Sequence, residues 1–143
     1  HVYSTTWKTR KIIRKYNKNA ERRIIYYKKN SLSSTQMLDL FERARIHIGI
    51  SLSDGVPASM LESIVTGAFP IQSNTACCDG WLINQKSGLL VSPELVEIVA
   101  ALELAIQDDE LVDSAMAINH QTAIAKLSQT FVANRISGMN FYQ

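Results

Sequence analysis

Apolar and polar positions along this chain follow two spacings, and the two take turns. Isoleucines recur at every second position in Ile46, Ile48 and Ile50, which predicts a buried strand over 46–51. The run Arg23-Ile24-Ile25-Tyr26-Tyr27 predicts a strand over 23–28, and Ala68-Phe69-Pro70-Ile71 opens another over 69–72. Elsewhere the spacing becomes helical. Met60, Leu61, Ile64 and Val65 line one face of a helix over 57–66 that ends at Thr66-Gly67. A helix over 7–18 carries Ile12, Ile13 and Tyr16 as its buried stripe. Ser34 caps a helix to about Ala44, and Pro93-Glu94 opens one to about 107. Asp108 caps the next, where Asp109 and Glu110 complement the positive end of the helix dipole. Short strands are expected at 1–4 and 88–91, with irregular chain from 73 to 87. A last helical segment runs near Ser128 to Gly138 and leads to Phe141-Tyr142.

This alternation predicts an α/β fold: a Rossmann-like parallel sheet with helices on both faces. A chain of 143 residues reads as one domain. Residues 108–143 form its helical extension. The chain opens at His1 in what reads as the end of a strand, so an N-terminally truncated piece of a longer protein is expected.

Composition removes several classes. Hydrophobic residues make up 46% and charged residues 20%, enough for a core in a water-facing protein. No apolar run approaches the ~18 residues that a membrane-spanning helix needs. Cys77 and Cys78 are adjacent and have no third partner, so no disulfide framework exists and a reducing, cytoplasmic setting is expected. His1, His47 and His120 are scattered, so no metal site is expected. His47 lies mid-strand and reads as structural.

Charge is divided unevenly. Residues 1–50 hold twelve Lys and Arg against three Asp and Glu, whereas residues 51–143 hold three against ten. The basic half includes Lys8, Arg10, Lys11, Arg14, Lys15 and Lys18 on one predicted helix. A solvated helix face is the first reading, and peripheral contact with the anionic inner face of a membrane the second. Nucleic acid fits least, because Tyr26 and Tyr27 fall in a strand pattern that makes them core rather than a stacking platform.

The chemistry concentrates between 51 and 71. Ser51-Leu52-Ser53-Asp54-Gly55 is a turn-forming stretch, and Pro57 suits a first helical turn, where its missing N–H loses nothing. A loop that leaves the carboxyl end of a strand and enters a helix aims free N–H groups and the positive dipole end at one point. A phosphate is welcome there. Gly55 lets a ligand approach the backbone closely. Glu62 follows Asp54 by eight residues; a carboxylate beside a phosphate is repelled, so acceptance from the hydroxyls of a polyol such as a ribose suits it better. The plainer alternative is an ordinary βαβ unit with two solvated acids.

The stretch SLSDGVPASMLESIVTGAFPI resembles the donor-binding signature of retaining family-4 (group 1) glycosyltransferases, through Asp54, Gly55, Pro57, Glu62, Gly67, Pro70 and Ile71. Trp81-Leu82-Ile83-Asn84-Gln85-Lys86-Ser87-Gly88-Leu89-Leu90-Val91 is similar to a later family segment. Asp54 stands where the family commonly has Glu. The resemblance covers roughly residues 22–110 and implies the C-terminal, donor-binding lobe of a GT-B fold. The acceptor lobe would precede it, with Phe141-Tyr142 packing back toward that lobe.

By that resemblance Asp54 is the catalytic-site residue that contacts hydroxyls of the transferred sugar, and Glu62 binds the nucleotide ribose. Gly55, Val56, Pro57, Ala58, Ser59 and Met60 surround the donor diphosphate, and Asn30 lies near the base. The implied reaction transfers a hexose from a nucleotide-sugar to a hydroxyl of an acceptor sugar or lipid-linked glycan. It retains the anomeric configuration and uses no cofactor and no metal, as in polysaccharide or glycolipid biosynthesis. Two alternatives stay open: a catalytically silent nucleotide- or partner-binding Rossmann-like domain, and another doubly wound domain in which the Asp54–Glu62 spacing is accidental.

Overall fold

Two parallel strands need a crossover of about a dozen residues or more between them, and this chain supplies one through a helix and one through irregular chain. A computed structural model describes residues 1–3 and 5–129. Its elements are α1 (Trp7–Tyr16), α2 (Ser34–Glu42), β1 (Ile46–Gly49), α3 (Ala58–Thr66), β2 (Phe69–Ser73), β3 (Leu89–Val91), α4 (Leu95–Gln107) and α5 (Asp109–Leu127). They fall into two compact units, residues 1–39 and 40–143.

In the first unit the strands expected at 1–4 and 23–28 show, among the described residues, one parallel bridge, Val2 with Tyr26. Val2 N donates to Ile25 O at 2.8 Å, and Tyr27 N to Val2 O at 2.8 Å. Thr6 caps α1, its hydroxyl accepting from Thr9 N at 3.2 Å. The expected buried stripe of α1 narrows to Ile13. Ile12 is 69% exposed and Tyr16 54%. Two short extended segments are too narrow to cover an apolar stripe of about 100°. Tyr26 and Tyr27 are half-buried rather than core. The start of α2 is also corrected: Ser33, not Ser34, is the cap. Gln36 N donates to Ser33 Oγ at 3.2 Å and Ser33 N to Gln36 Oε1 at 2.9 Å, a reciprocal capping box.

The second unit holds a parallel sheet in the order β1-β2-β3. Ile46 pairs with Phe69 and Gly49 with Gln72, while Ile71 pairs with Leu89. Alternation sends Phe69, Ile71, Leu89 and Val91 to one face, where they pack with Ala101 and Ala105 of α4 and Val112 and Ala115 of α5. Alanines on both helices let the backbones approach the sheet closely. Pro70 and Gln72 point to the other face, as do His47 and Gly49. Met60 and Ile64 of α3 are buried in a second cluster with Ala76, Cys78 and Leu82, against which Leu90 packs.

Two expectations change here. Ile48 and Ile50 are each 40% exposed, because β1 ends the strand order while α4 lies against β2 and β3. Val65 is exposed as well, so the buried stripe of α3 is Met60 and Ile64. Gly67 closes α3 in the left-handed region at φ 89°, as the sequence implied. Asp108 caps α5, accepting from Leu111 N at 2.8 Å. The segment expected from Ser128 to Gly138 and the pair Phe141-Tyr142 lie outside the described residues, apart from Ser128 and Gln129.

Gly88 shows why the chain before β3 carries a glycine. An added Cβ would stand 2.7 Å from the backbone oxygen of Pro70. Ser87 is buried beside it; its hydroxyl accepts from Ile83 N at 2.8 Å and its carbonyl from Asn119 Nδ2 at 2.8 Å. Trp81 packs against the cluster of Met60, Ile64 and Leu82, with Lys126 Nζ 5.2 Å from its ring.

Candidate functional site

The loop between β1 and α3 leaves the carboxyl end of a parallel strand, the edge at which open α/β sheets bind ligands. Pro57 stands at the N-cap of α3 with φ −68° and makes no side-chain capping bond. Met60 N and Leu61 N donate to Pro57 O at 3.1 and 3.2 Å. The amides of Ala58 and Ser59 precede the first helical bond and have no capping acceptor. No acidic residue stands in the first turn. The positive end of α3 is thus open to an anion.

Asp54 and Glu62 border this opening in sequence. Asp54 is exposed and pairs with Ala76 as an isolated parallel bridge. Gly55 O accepts from Cys77 N at 3.1 Å, and space is open where a Gly55 side chain would stand. Glu62 lies in the second turn of α3, half-buried. Among the described residues neither carboxylate has a hydrogen-bond or ion-pair partner, and both are free to accept from a ligand. Val56 and Ala58 are exposed, Ser59 is half-buried, and Pro57 and Met60 are buried. Met60 therefore contributes to the core rather than presenting its side chain to a ligand.

Asn30 belongs to the first unit. Its φ is 59°, in the left-handed region that asparagine tolerates, and its amide donates to the Tyr3 hydroxyl at 3.3 Å.

The surrounding titratable groups include none with the pattern of a general acid–base pair. Burial lowers the His47 pKa from 6.5 to about 4, so its ring is neutral near pH 7. It packs edge-on against Phe41 with centroids 5.2 Å apart, in the structural role expected of it. Burial raises the Cys78 thiol pKa, aided by Asp79, Cys77 and Asp54, so Cys78 stays protonated. Cys77 and Cys78 are both free thiols. Among the described residues no group of three or more His, Cys, Asp or Glu is placed to hold a metal, and no helix is long and apolar enough to cross a membrane. A shallow cavity of about 330 Å³ beside Arg45, Thr66, Gly67 and Asp113 lies at the amino-terminal edge of the sheet, away from this loop.

Sequence reasoning missed the serine at the base of the loop. Ser73 Oγ accepts from Ser51 N at 3.0 Å and donates to Ser51 O at 3.0 Å. A serine at the end of an apolar strand carries no signal of that role.

The fold and this edge define an open parallel α/β domain with a helix N-terminus that no side chain caps at its carboxyl edge. No protein-family model and no curated protein matches the chain. Solved structures do. The C-terminal domain of LpcC, a glycosyl transferase group 1 family protein from Francisella tularensis, aligns with a TM-score of 0.70 and 17% identity over 86% of this chain and 64% of that one. TarM from S. aureus, solved as a mutant with fondaparinux, alpha-GlcNAc-glycerol and UDP, aligns at 0.72 and 18% over 96% of this chain and 28% of that one. HepE from Anabaena, solved with UDP and glucose, aligns at 0.66 and 14% over 96% and 40%. The chain spans less than two thirds of each of these. Its fold is that of the C-terminal domain of a GT-B glycosyltransferase, as the sequence implied.

Proposed function

We propose that this chain is the nucleotide-sugar-binding lobe of a hexosyltransferase. The observation that carries the reading is the uncapped N-terminus of α3 at the carboxyl edge of the sheet, bordered by two unpartnered carboxylates. A donor diphosphate would accept from the amides of Gly55, Val56, Ala58 and Ser59, where the helix dipole favours negative charge. Ser59 Oγ would add a donor. Glu62, beyond the first turn, would accept from both ribose hydroxyls, and Asp54 from hydroxyls of the transferred hexose.

The physical task is to stabilise the nucleoside diphosphate as it leaves. Fixed N–H donors already aimed at the phosphate do this without reorganising during the reaction. The reading is of transfer with retention, without a metal, to a hydroxyl acceptor supplied by the acceptor lobe. Asp54 and Glu62 act by binding, not as the acid and base of a glycosidase. The similarity to LpcC, and the UDP in the HepE and TarM structures, support this reading. An acceptor sugar or lipid-linked glycan and peripheral attachment at the cytoplasmic face of a membrane belong to the same proposal.

Calorimetric titration of the full-length protein with UDP, GDP and ADP tests it. One nucleotide should bind saturably, and Glu62→Ala should weaken it by about tenfold or more, the worth of a charge-assisted hydrogen bond. Affinity unchanged in the variant would remove Glu62 from the site. Binding without turnover of the matching nucleotide-sugar would favour the silent lobe.

A further inference from the structure

Backbone pairing between β1 and β2 ends at Gly49 and Gln72. Two residues later the chain should be free, yet Ser51 is held. The Ser73 hydroxyl accepts from Ser51 N and donates to Ser51 O, both at 3.0 Å. One side chain thus straddles one residue's backbone and satisfies both of its polar groups, as a neighbouring peptide would in a sheet. Thr75 Oγ1 donates to the same Ser51 oxygen. Ser73 itself is 0% exposed and its own carbonyl accepts from Ala76 N at 3.3 Å, so the clamp is built into the interior rather than resting on the surface.

The segment beyond Ser51 has little else to hold it. Leu52 is 83% exposed, and Ser53, Asp54, Gly55 and Val56 are exposed too. The next attachment is the bridge of Asp54 with Ala76 and the bond from Cys77 N to Gly55 O. Residues 73–77 therefore grip the loop at its base and at its tip. α3 has a further anchor that the clamp does not provide: Met60 and Ile64 are buried with Ala76, Cys78 and Leu82.

We propose that Ser73 is a positioning residue for the sugar-recognising half of the site: its hydroxyl fixes where the Asp54 loop leaves the sheet. This rests on the assignment of Asp54 to the transferred sugar. It separates two functions that share one loop. Although the Gly55 and Val56 amides lie on the loop, ribose recognition by Glu62 and the diphosphate amides of Ala58 and Ser59 reside on α3 and survive loss of the clamp. Discrimination in favour of the sugar-bearing donor resides on the loop and does not. A serine that merely satisfied buried backbone would affect both alike.

The test uses the full-length protein and Ser73→Ala, with Ser114→Ala as the control. Ser114 Oγ donates to Leu111 O within its own helix. UDP and UDP-glucose are the probes, and amide hydrogen exchange is read in parallel without ligand. In Ser73→Ala, UDP-glucose affinity should fall about tenfold while UDP affinity stays within about twofold, the loss expected when one hydrogen-bonded contact is misplaced. Exchange at Ser51 and Cys77 should quicken, and exchange at Ile71 should not. Equal loss for both ligands, or no loss for either, would overturn the proposal. If the wild type binds neither probe, the donor assignment fails on its own, and unchanged exchange at Ser51 and Cys77 would then overturn the clamp separately.

Discussion

Helices α3 and α5 begin in opposite ways. α5 is closed by its own sequence: Asp108 accepts from Leu111 N, and Asp109 and Glu110 occupy the first turn, where the dipole favours carboxylates. α3 begins with a proline that caps nothing, and its first turn contains no acid. The same backbone amides are satisfied in one helix and left open in the other. α4 also lacks a side-chain cap but holds Glu97 in its first turn, so of these three helices α3 alone has neither a cap nor an acid. The open end of α3 stands where the sheet presents its carboxyl edge, and that is where the proposed donor diphosphate would complete it.

The contrast can be erased. Ala58→Asp puts a carboxylate in the first turn of α3 and makes it resemble α5. It should weaken UDP binding by about a hundredfold, some 2.7 kcal/mol, by competing for the amides and repelling the diphosphate. Folding stability should rise by about 0.3–1 kcal/mol in the same variant. Opposite signs in calorimetry and chemical denaturation are the expected signature.

Acid should weaken the β1 side, which leads into α3. His47 is held neutral down to about pH 4, whereas in the unfolded chain it takes a proton near 6.5. Its contribution is therefore fully present above pH 6.5. It is lost as pH falls from there to about 4, at up to roughly 1.4 kcal/mol per pH unit, because the unfolded state binds the proton that the native state refuses. Denaturation midpoints across pH 4–7 should show this slope, and His47→Leu should flatten it.

The smallest effect belongs to α5. Asp108→Ala should lower stability by about 1 kcal/mol, the worth of an N-cap, and leave UDP affinity unchanged.

How much of this was legible depends on whether the cause was local. The β1–α3–β2 unit was readable because Gly55, Pro57 and Gly67 punctuate it, and because Asp54 and Glu62 keep a spacing that resembles a known signature. The Asp108 cap was readable for the same reason. The exposure of Ile12, Tyr16, Ile48 and Ile50 was not, because periodicity tells which side is apolar but not whether anything covers it. Ser33 outcompeted Ser34 as the cap because Gln36, three residues on, returns a bond to its amide. The Ser73 clamp depends on residues twenty-two positions apart, and nothing near Ser73 announces it.

The polar face of the sheet adds one more non-local feature. Gly49 lies against the side chain of Gln72: an added Cβ would stand 2.2 Å from Gln72 Oε1 and 3.2 Å from His47 Nε2. Both of those atoms are buried without a hydrogen-bond partner.

The central claim is that the N-terminus of α3 receives the donor diphosphate. Amide shift mapping of the isotope-labelled full-length protein during a UDP titration tests it most directly. The account predicts the largest shifts at Gly55, Val56, Ala58 and Ser59, saturating at one UDP per chain. Shifts centred instead on Arg45 and Gly67 at the opposite edge of the sheet, or saturable binding that leaves the α3 amides unmoved, would contradict it.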